Sequence, residues 1–556
     1  MRRSYAAWLA VCGLLLSACG GLSTSSPVHQ GLDVSTVQEN QVRVLVNPVG
    51  PGSSPEEVVT GFVRAAAASD DQYQVARSYL VPVQEATWRP DSSVMVFTDD
   101  ASLTITRSGS SSVKAVAQVS GRIDGDGRYH ELPPGSKVSV SFGLQRIGGE
   151  WRISKLPQGF GTWLSEADVS RLYDPFRIYY ISATERRLVP DVRWFPVGTG
   201  LATRLARTLL AGIPDYLSGA VRSDIPAGTR LAVDSVPIES GTAQVDLTAT
   251  RVSSDPAQRQ GLAAQLLATV MQASGVERVA LQLDGTDLQV PGAASTGLFD
   301  LSALGFPTPA DAVTKPLLRK GTSLVAVDPQ QLGEPGNRPP AQPSGSLPSI
   351  PLGWAYLAMA PSGGEVAAVS GDRTQLERWR GLNALPVVTV GSELTRPVYD
   401  AAGVLWLAGV QGGASRLWAV NPSADPKTVQ GRPQLVSAGW LEGRSVVSLR
   451  FAPDGQRVAL ISTDRNGRAP RIDVAGVVRQ PNGIPQSLST PITLAPSLTT
   501  ARDLVWVDDA TLAVLGRKVA SQAVRPWFVP LGGPITAGPE IPGAMTITTV
   551  NAERGL

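Results

Sequence analysis

Few side chains in this chain could carry chemistry, and their types limit what that chemistry is. Among 556 residues there are two histidines, His29 and His130, and two cysteines, Cys12 and Cys19. Two histidines far apart in sequence leave little room for a histidine-dependent triad or a two-histidine zinc site. Gly-x-Ser-x-Gly and His-Glu-x-x-His patterns are missing. A glycosidase working with carboxylates alone stays open, because it needs no motif. Asp246 and Asp284 are the paired-carboxylate candidates; an acid near a strand end and an Asp-Gly turn account for them without catalysis. Asp124 and Asp126 suggest a calcium loop, but no glutamate closes the required pattern, so a hairpin turn is the reading. Gly198-Thr199-Gly200 could cradle an anion ahead of a helix. Without a third glycine or a lysine, a tight turn explains it better. The expectation is therefore no catalytic residue, no metal site and no cofactor.

Cys19 is different, because its surroundings are specific. Arg2 and Arg3 lead into an apolar run from Ala6 to Leu16 and then small residues, the layout of a secretory signal. The run is too short to span a bilayer. Leu16-Ser17-Ala18-Cys19-Gly20 resembles the lipobox of bacterial lipoproteins, which implies cleavage before Cys19 and acylation of its thiol. The alternatives are an ordinary signal peptide with an incidental cysteine, or a buried helix of a cytosolic protein. The Gly/Ser/Thr-rich stretch after Cys19 opposes the second, since it reads as a flexible tether. Each buried acyl methylene is worth ~0.8 kcal/mol, so two or more chains are needed for stable anchoring. The chain then divides into a signal peptide (1–18), a lipidated cysteine with its tether (19–52), and domains on the extracytoplasmic face of the cell membrane, with membrane lipid as the first partner.

Losing residues 1–18 removes Cys12, Arg2 and Arg3, and acylation occupies Cys19. The mature chain keeps no thiol for a disulfide, a nucleophile or a metal. It has 47 Lys+Arg against 47 Asp+Glu, no basic footprint for nucleic acid. With 42% hydrophobic and 17% charged residues the balance is globular, and the length suits several domains.

Periodicity sets the order of elements. Ser54-Pro55-Glu56-Glu57 is a capping box opening a helix whose Val58, Val59, Phe62, Val63 and Ala66 share a face. A similar pattern at Ser69–Gln72 opens a second helix, with Tyr73, Ala76 and Leu80 on one side and Pro82 as its stop. From Val94 the period becomes two, in runs at Val94–Phe97, Leu103–Ile105, Val113–Val119, Val138–Phe142 and Trp151–Ile153. After a helix at Leu201–Ala211 comes a hairpin, Leu231–Val236 with Ala243–Thr248. A helix capped by Asp255 and a strand at Val279–Leu283 complete a two-layer α/β unit. Beyond residue 293 short strands dominate. Ala360-Pro361-Ser362-Gly363-Gly364-Glu365-Val366 returns as Ala452-Pro453-Asp454-Gly455-Gln456-Arg457-Val458, with weaker copies from Asp400 and Asp508. A turn plus apolar strand recurring about every 40 to 55 residues reads as propeller blades. Four blades are clear, with one or two weaker candidates besides, and Gly333–Ser349 is a Pro/Gly-rich excursion. Most tryptophans of this half, from Trp354 to Trp527, read as blade packing, though some could line a sugar- or peptide-binding face.

These units carry resemblances. Two helices followed by a meander ending in Gly149-Glu150-Trp151-Arg152-Ile153-Ser154 resemble an NTF2-like cone, over 53–190. Ala243-Gln244-Val245-Asp246-Leu247-Thr248 with Gly275-Val276-Glu277-Arg278-Val279 and Leu283-Asp284-Gly285 resembles the GerMN domain, a non-enzymatic envelope module, over 195–292. The Pro-Asp-Gly turns resemble TolB-like propellers, over 300–556. The expected fold class is multidomain, α+β and then all-β. Lipobox, cone, GerMN domain and propeller in this order resemble the actinobacterial lipoprotein family LpqB. That resemblance implies an accessory lipoprotein that binds a sensor histidine kinase, MtrB-like, and modulates two-component signalling in envelope homeostasis and division. The units nearest the anchor are then expected to touch the kinase. The alternative is a lipoprotein that binds cell-wall glycan or peptide.

Overall fold

The computed structural model describes residues 48–67, 73–249, 253–292, 300–306, 317–326 and 347–549. Cys19, the tether, the Ser69–Gln72 capping pattern and most of the Gly333–Ser349 excursion lie outside them. No helix among the described residues is long and apolar enough to cross a membrane.

Helix α1 (Pro55–Ala65) starts as its capping box requires: Ser54 accepts from the Glu57 N–H and Glu57 reaches back to the Ser54 N–H. Its apolar face lies on a sheet built from β1 (Ser93–Phe97), β2 (Thr104–Arg107), β3 (Ser112–Asp124), β4 (Tyr129–Glu131), β5 (Lys137–Ile147), β6 (Glu150–Lys155) and β7 (Thr162–Ser165). The strand order is β6-β5-β3-β1-β7, antiparallel except for the β1–β7 pair. Along β3 alternate residues Val113, Ala115, Ala117 and Val119 join the cluster that surrounds Phe62, whose ring meets Trp88 at 5.1 Å and Phe160 at 5.9 Å. Pro82 departs from expectation. It opens a helix (α3, Pro82–Thr87) after a short α2 (Gln74–Arg77), because a proline at the first helical position loses no hydrogen bond. Tyr73, Ala76 and Leu80 are buried as the helical spacing required.

The second unit is organised on a hairpin that periodicity did not single out, β8 (Tyr173–Ser182) and β9 (Leu188–Pro196), extended by β10 (Val221–Arg222). Helix α4 (Glu166–Leu172), capped by Ser165, leads into it. Helix α5 (Leu201–Leu210) buries Leu201, Leu205 and Leu209. Strands β11 (Arg230–Leu231), β12 (Ile238–Glu239), β13 (Thr242–Thr248), β14 (Arg278–Leu283) and β15 (Thr286–Asp287) form a separate sheet, in which β13 and β14 run parallel, joined by α6 (Pro256–Val270). The hairpin's first arm is shorter than expected. Between β11 and β12 the chain leaves β13, and the Val236 N–H donates to Thr203 Oγ1 on α5, which buries Val236. Helix α6 is buried nearly all round from Gly261 on, and its polar residues, with Gln272 just past its end, serve the free edge of β8. Gln272 both donates to and accepts from Arg177 backbone, Thr269 Oγ1 accepts from the Tyr179 N–H, and Gln265 donates to the Tyr179 carbonyl.

Among the described residues the C-terminal half contains four consecutive antiparallel sheets of four or five strands and a hairpin at Leu317–Lys320 and Ser323–Ala326. The repeated phrase makes the same turn each time. The Ala360 N–H donates to Glu365 O and the Ala452 N–H to Arg457 O, with Gly363 and Gly455 at φ 71° and 72°. The sheets' second strands, Glu365–Ser370, Leu405–Gln411, Arg457–Asp464 and Thr511–Arg517, are mostly buried on both faces. Buried polar pairs staple neighbouring sheets: Tyr399 to Glu365 at 3.0 Å, Arg479 to Asp400 at 2.6 Å and Arg450 to Asp503 at 3.1 Å.

Candidate functional site: the junction between the units

Strand β9 is the seam of the molecule. Eight of its nine residues are buried, against α+β sheet, helices and C-terminal half alike. On one side the Asp124-Gly125-Asp126-Gly127 turn closes on it. The Trp194 N–H donates to Gly127 O at 2.6 Å, and Arg193 donates to Asp126 O at 3.1 Å. Asp191, on β9, is the centre. Arg128 holds it with bonds of 3.1 Å, Arg193 at 2.7 Å, and the Tyr216 hydroxyl donates to it at 2.9 Å. Burial opposes its charge, but the two guanidiniums overcome burial and hold its carboxyl below the usual carboxylate range. Burial also pushes the Tyr216 phenol up, with Asp191 adding to the effect, so it stays a donor.

On the other side β9 meets the propeller half. Arg457, fully buried, donates to Asp454 at 2.9 and 2.5 Å, to Pro190 O at 3.0 Å and to Asp509 O at 2.5 Å, with its guanidinium 5.1 Å from the Trp506 ring. Arg177 pairs with Asp509 at 2.9 Å and Arg187 donates to Pro453 O. Beside these contacts lies a cavity of about 770 Å³ walled by Tyr179, Leu188, Leu267, Met271, Leu301 and Phe306, with Asp454 and Asp509 at its edge. Its apolar wall suits an apolar side chain or peptide segment. Asp454 and Asp509 are held by arginines and Asp300 by Ser302, and among the described residues no histidine, cysteine or lysine lines the cavity.

The residues singled out from sequence have structural partners. Asp246 accepts from the Gly285 N–H at 3.0 Å and Asp284 from Thr248 at 2.8 Å, so this pair ties a turn to β13. Asp124 caps its own turn, accepting from the Asp126 and Arg128 N–H groups, and lies 2.8 Å from His130 Nε2. Burial opposes its charge, but the His130 and Arg128 bonds hold its pKa down. Gly198 and Gly200 take φ 108° and 81° in the turn before α5, where Thr199 O accepts from Arg204. Trp379, Trp406, Trp418, Trp506 and Trp527 are buried among the sheets. Among the described residues no cluster of three or more His, Cys, Asp or Glu is placed to hold a metal. Cys19 and His29 lie outside the described residues. Sequence reasoning missed Arg457. The signal was there: Glu365 and Arg457 occupy the same offset in the repeated phrase, each a charge opening an apolar strand, and both are buried ion-pair centres.

Residues 48–170 match the family model of the Lipoprotein LpqB N-terminal domain, and residues 342–556 that of the Lipoprotein LpqB beta-propeller domain. The chain belongs to the LpqB lipoprotein family. Its central residues 177–289 match the model described as sporulation and spore germination. Lipoprotein LpqB of Thermobifida fusca is 28% identical, covering 94% of this chain and 88% of that one. The Cutibacterium acnes LpqB is 27% identical, covering 99% and 92%. The first GerMN domain of the sporulation protein GerM from Bacillus subtilis aligns at 21% identity with 21% of this chain and 86% of that domain, TM-score 0.17. The LpqB relatives are named as lipoproteins and not as enzymes, and the C-terminal half is a propeller-type domain.

Proposed function

We propose that this chain is a non-enzymatic accessory lipoprotein, held on the extracytoplasmic face of the cell membrane by acylated Cys19, that binds an MtrB-like sensor kinase and modulates it, with effects on envelope homeostasis and division. Membership of the LpqB family is the observation that carries this reading. The lipobox around Cys19 supports the anchor. Confinement at the membrane raises the effective concentration at a neighbouring receptor, so a weak contact suffices. Binding shifts the kinase only by preferring one of its states. The buried junction supports a single presenting body, in which the N-terminal units nearest the anchor meet the receptor and the propeller half stiffens them from behind. For the N-terminal unit, over 53–190, the seat of α1 on its sheet supports the NTF2-like cone; 195–292 is the GerMN unit and 300–556 the propeller, with β8 and β9 bridging the first two.

The test is cross-linking of the full-length lipoprotein in its native membrane, followed by mass spectrometry. A sensor histidine kinase is captured by the wild type and lost from a Cys19→Ser form that leaves the membrane. Capture of wall fragments alone overturns the kinase reading. A second reading, a lipoprotein that binds a cell-wall ligand, is favoured by one observation: an open, charged cavity at one end of the propeller-type domain.

A further inference from the structure

In an antiparallel sheet the start of the first strand and the end of the second lie at the same end, as the pairs Trp354–Ser370 and Arg444–Asp464 show. All four sheets bring that end to a single cavity of about 490 Å³. Five arginines line it, Arg373, Arg396, Arg450, Arg465 and Arg502, against three acids, Glu393, Asp464 and Asp503. The acids are mostly committed. Asp503 accepts from Ser448, Arg450 and two backbone N–H groups, and Asp464 accepts from the Asn466 and Arg468 N–H groups of its own turn.

The arginines divide in two. Arg373 is spent on the Leu394 and Glu393 carbonyls, Arg450 on Asp503 and Leu449 O, and Arg502 on Ala544 O and the Met545 sulfur. Arg396 and Arg465 are exposed and make no hydrogen bond or ion pair among the described residues. Arg396 and Arg450 line the same cavity; burial disfavours the Arg450 charge, Asp503 supports it and Arg396 works against it. Arg396 has no acid of its own among the described residues, and an anion in the opening would supply one. No tryptophan lines the cavity and Tyr356 is its aromatic residue, so a neutral sugar has little face to stack on.

From this we infer that the cavity is a binding site for an anion of two or more charges, bearing phosphate or carboxylate groups, with Arg396 and Arg465 as its principal donors. Guanidinium forks match both groups in bidentate fashion and keep their charge at every accessible pH. The site lies in the cavity that favours the second reading of function, and it does not depend on the kinase reading, which the cross-linking experiment tests by itself.

The experiment is calorimetric titration of the full chain in detergent, at low and physiological salt, with pyrophosphate, citrate and a glycerol-phosphate oligomer. Pyrophosphate or citrate binds the wild type, more weakly as salt rises. The double variant Arg396→Gln/Arg465→Gln loses about tenfold or more, on the scale of a charge-assisted hydrogen bond. Glu393→Gln, which removes the uncommitted acid, tightens binding a few-fold, on the scale of a single exposed charge. Lys427→Gln, on an exposed loop away from the opening, changes nothing. Oligomer binding tighter than pyrophosphate identifies a polymer-borne phosphate as the source, and the reverse order a free anion. No binding by any of the three, or equal binding by wild type and the double variant with an unchanged melting curve, overturns the site.

Discussion

Arginine is used in two opposite ways in this molecule. At the junction Arg193 and Arg457 are buried and Arg128 is largely covered, and each guanidinium is held by carboxylate or carbonyl oxygens across a unit boundary. At the mouth of the propeller-type domain Arg396 and Arg465 stand in solvent with no partner among the described residues. The difference follows from the cost of desolvation. A buried charge must be matched where it sits and is already committed to its partner, whereas an exposed charge keeps its water and stays available to a ligand. Burial, more than residue type, separates glue from recognition.

The comparison breaks most severely at Asp191. Asp191→Ala leaves the Arg128 and Arg193 guanidiniums and the Tyr216 hydroxyl without this acceptor. The expected loss is at the upper end of about 3–5 kcal/mol, read as a fall in midpoint in chemical denaturation. Acid probes the same contact. The folded pKa values of Asp191 and Asp124 lie below their unfolded values. Their contribution is therefore present above the ordinary carboxylate pKa of about 4 and is lost as pH falls through the depressed folded values. Melting temperature drops below that pH in the wild type and drops less in Asp191→Ala.

Arg457→Met comes next. The methionine fills the volume, but Asp454 keeps a buried charge with no cation, so about 3 kcal/mol is lost. Because the guanidinium lies on the Trp506 ring, tryptophan fluorescence reports the change locally. An unaltered spectrum and melting curve would show that this contact does not hold the propeller half to β9.

Smaller, and purely steric, is Gly127→Ala. Gly127 sits at φ 80°, and an added Cβ would lie 2.7 Å from the Phe195 ring and 2.9 Å from Trp194 O. Strain and a displaced turn cost about 1–3 kcal/mol. The Asp124 turn must then withdraw from β9, and backbone hydrogen exchange at Trp194 measures that withdrawal.

How much of this was readable beforehand depends on the range of the interaction. The α1 capping box, the alternation along β3 and the Ala-Pro-x-Gly turn of the repeated phrase are local, and the structure keeps them. The lipobox pattern around Cys19 is equally local, but it lies outside the described residues. Pro82 misled because a proline both ends one helix and starts another, and only the neighbouring fold chooses. Strand β9 escaped notice because a strand buried on both faces loses its alternation: every residue from Val189 to Pro196 is buried. Strand β8 does alternate from Phe176 to Tyr180, and that signal was there to be read. The mouth arginines were illegible in principle. They come from four sheets and have neither period nor motif, and only the closing of strand ends on one side brings them together.

The smallest expected effect is the one that sharpens the comparison. The double variant Arg396→Gln/Arg465→Gln removes two positive charges from the opening and no hydrogen bond or ion pair among the described residues. Stability should stay within about 0.5 kcal/mol of wild type, as for surface substitutions away from packed features. It should rise slightly at low salt, because the repulsion between Arg396 and Arg450 is relieved. Melting at two salt concentrations reads both effects. A loss of several kcal/mol would place these two arginines with Arg128, Arg193 and Arg457 as structural, and the distinction between glue and recognition would fail at the residues on which it rests.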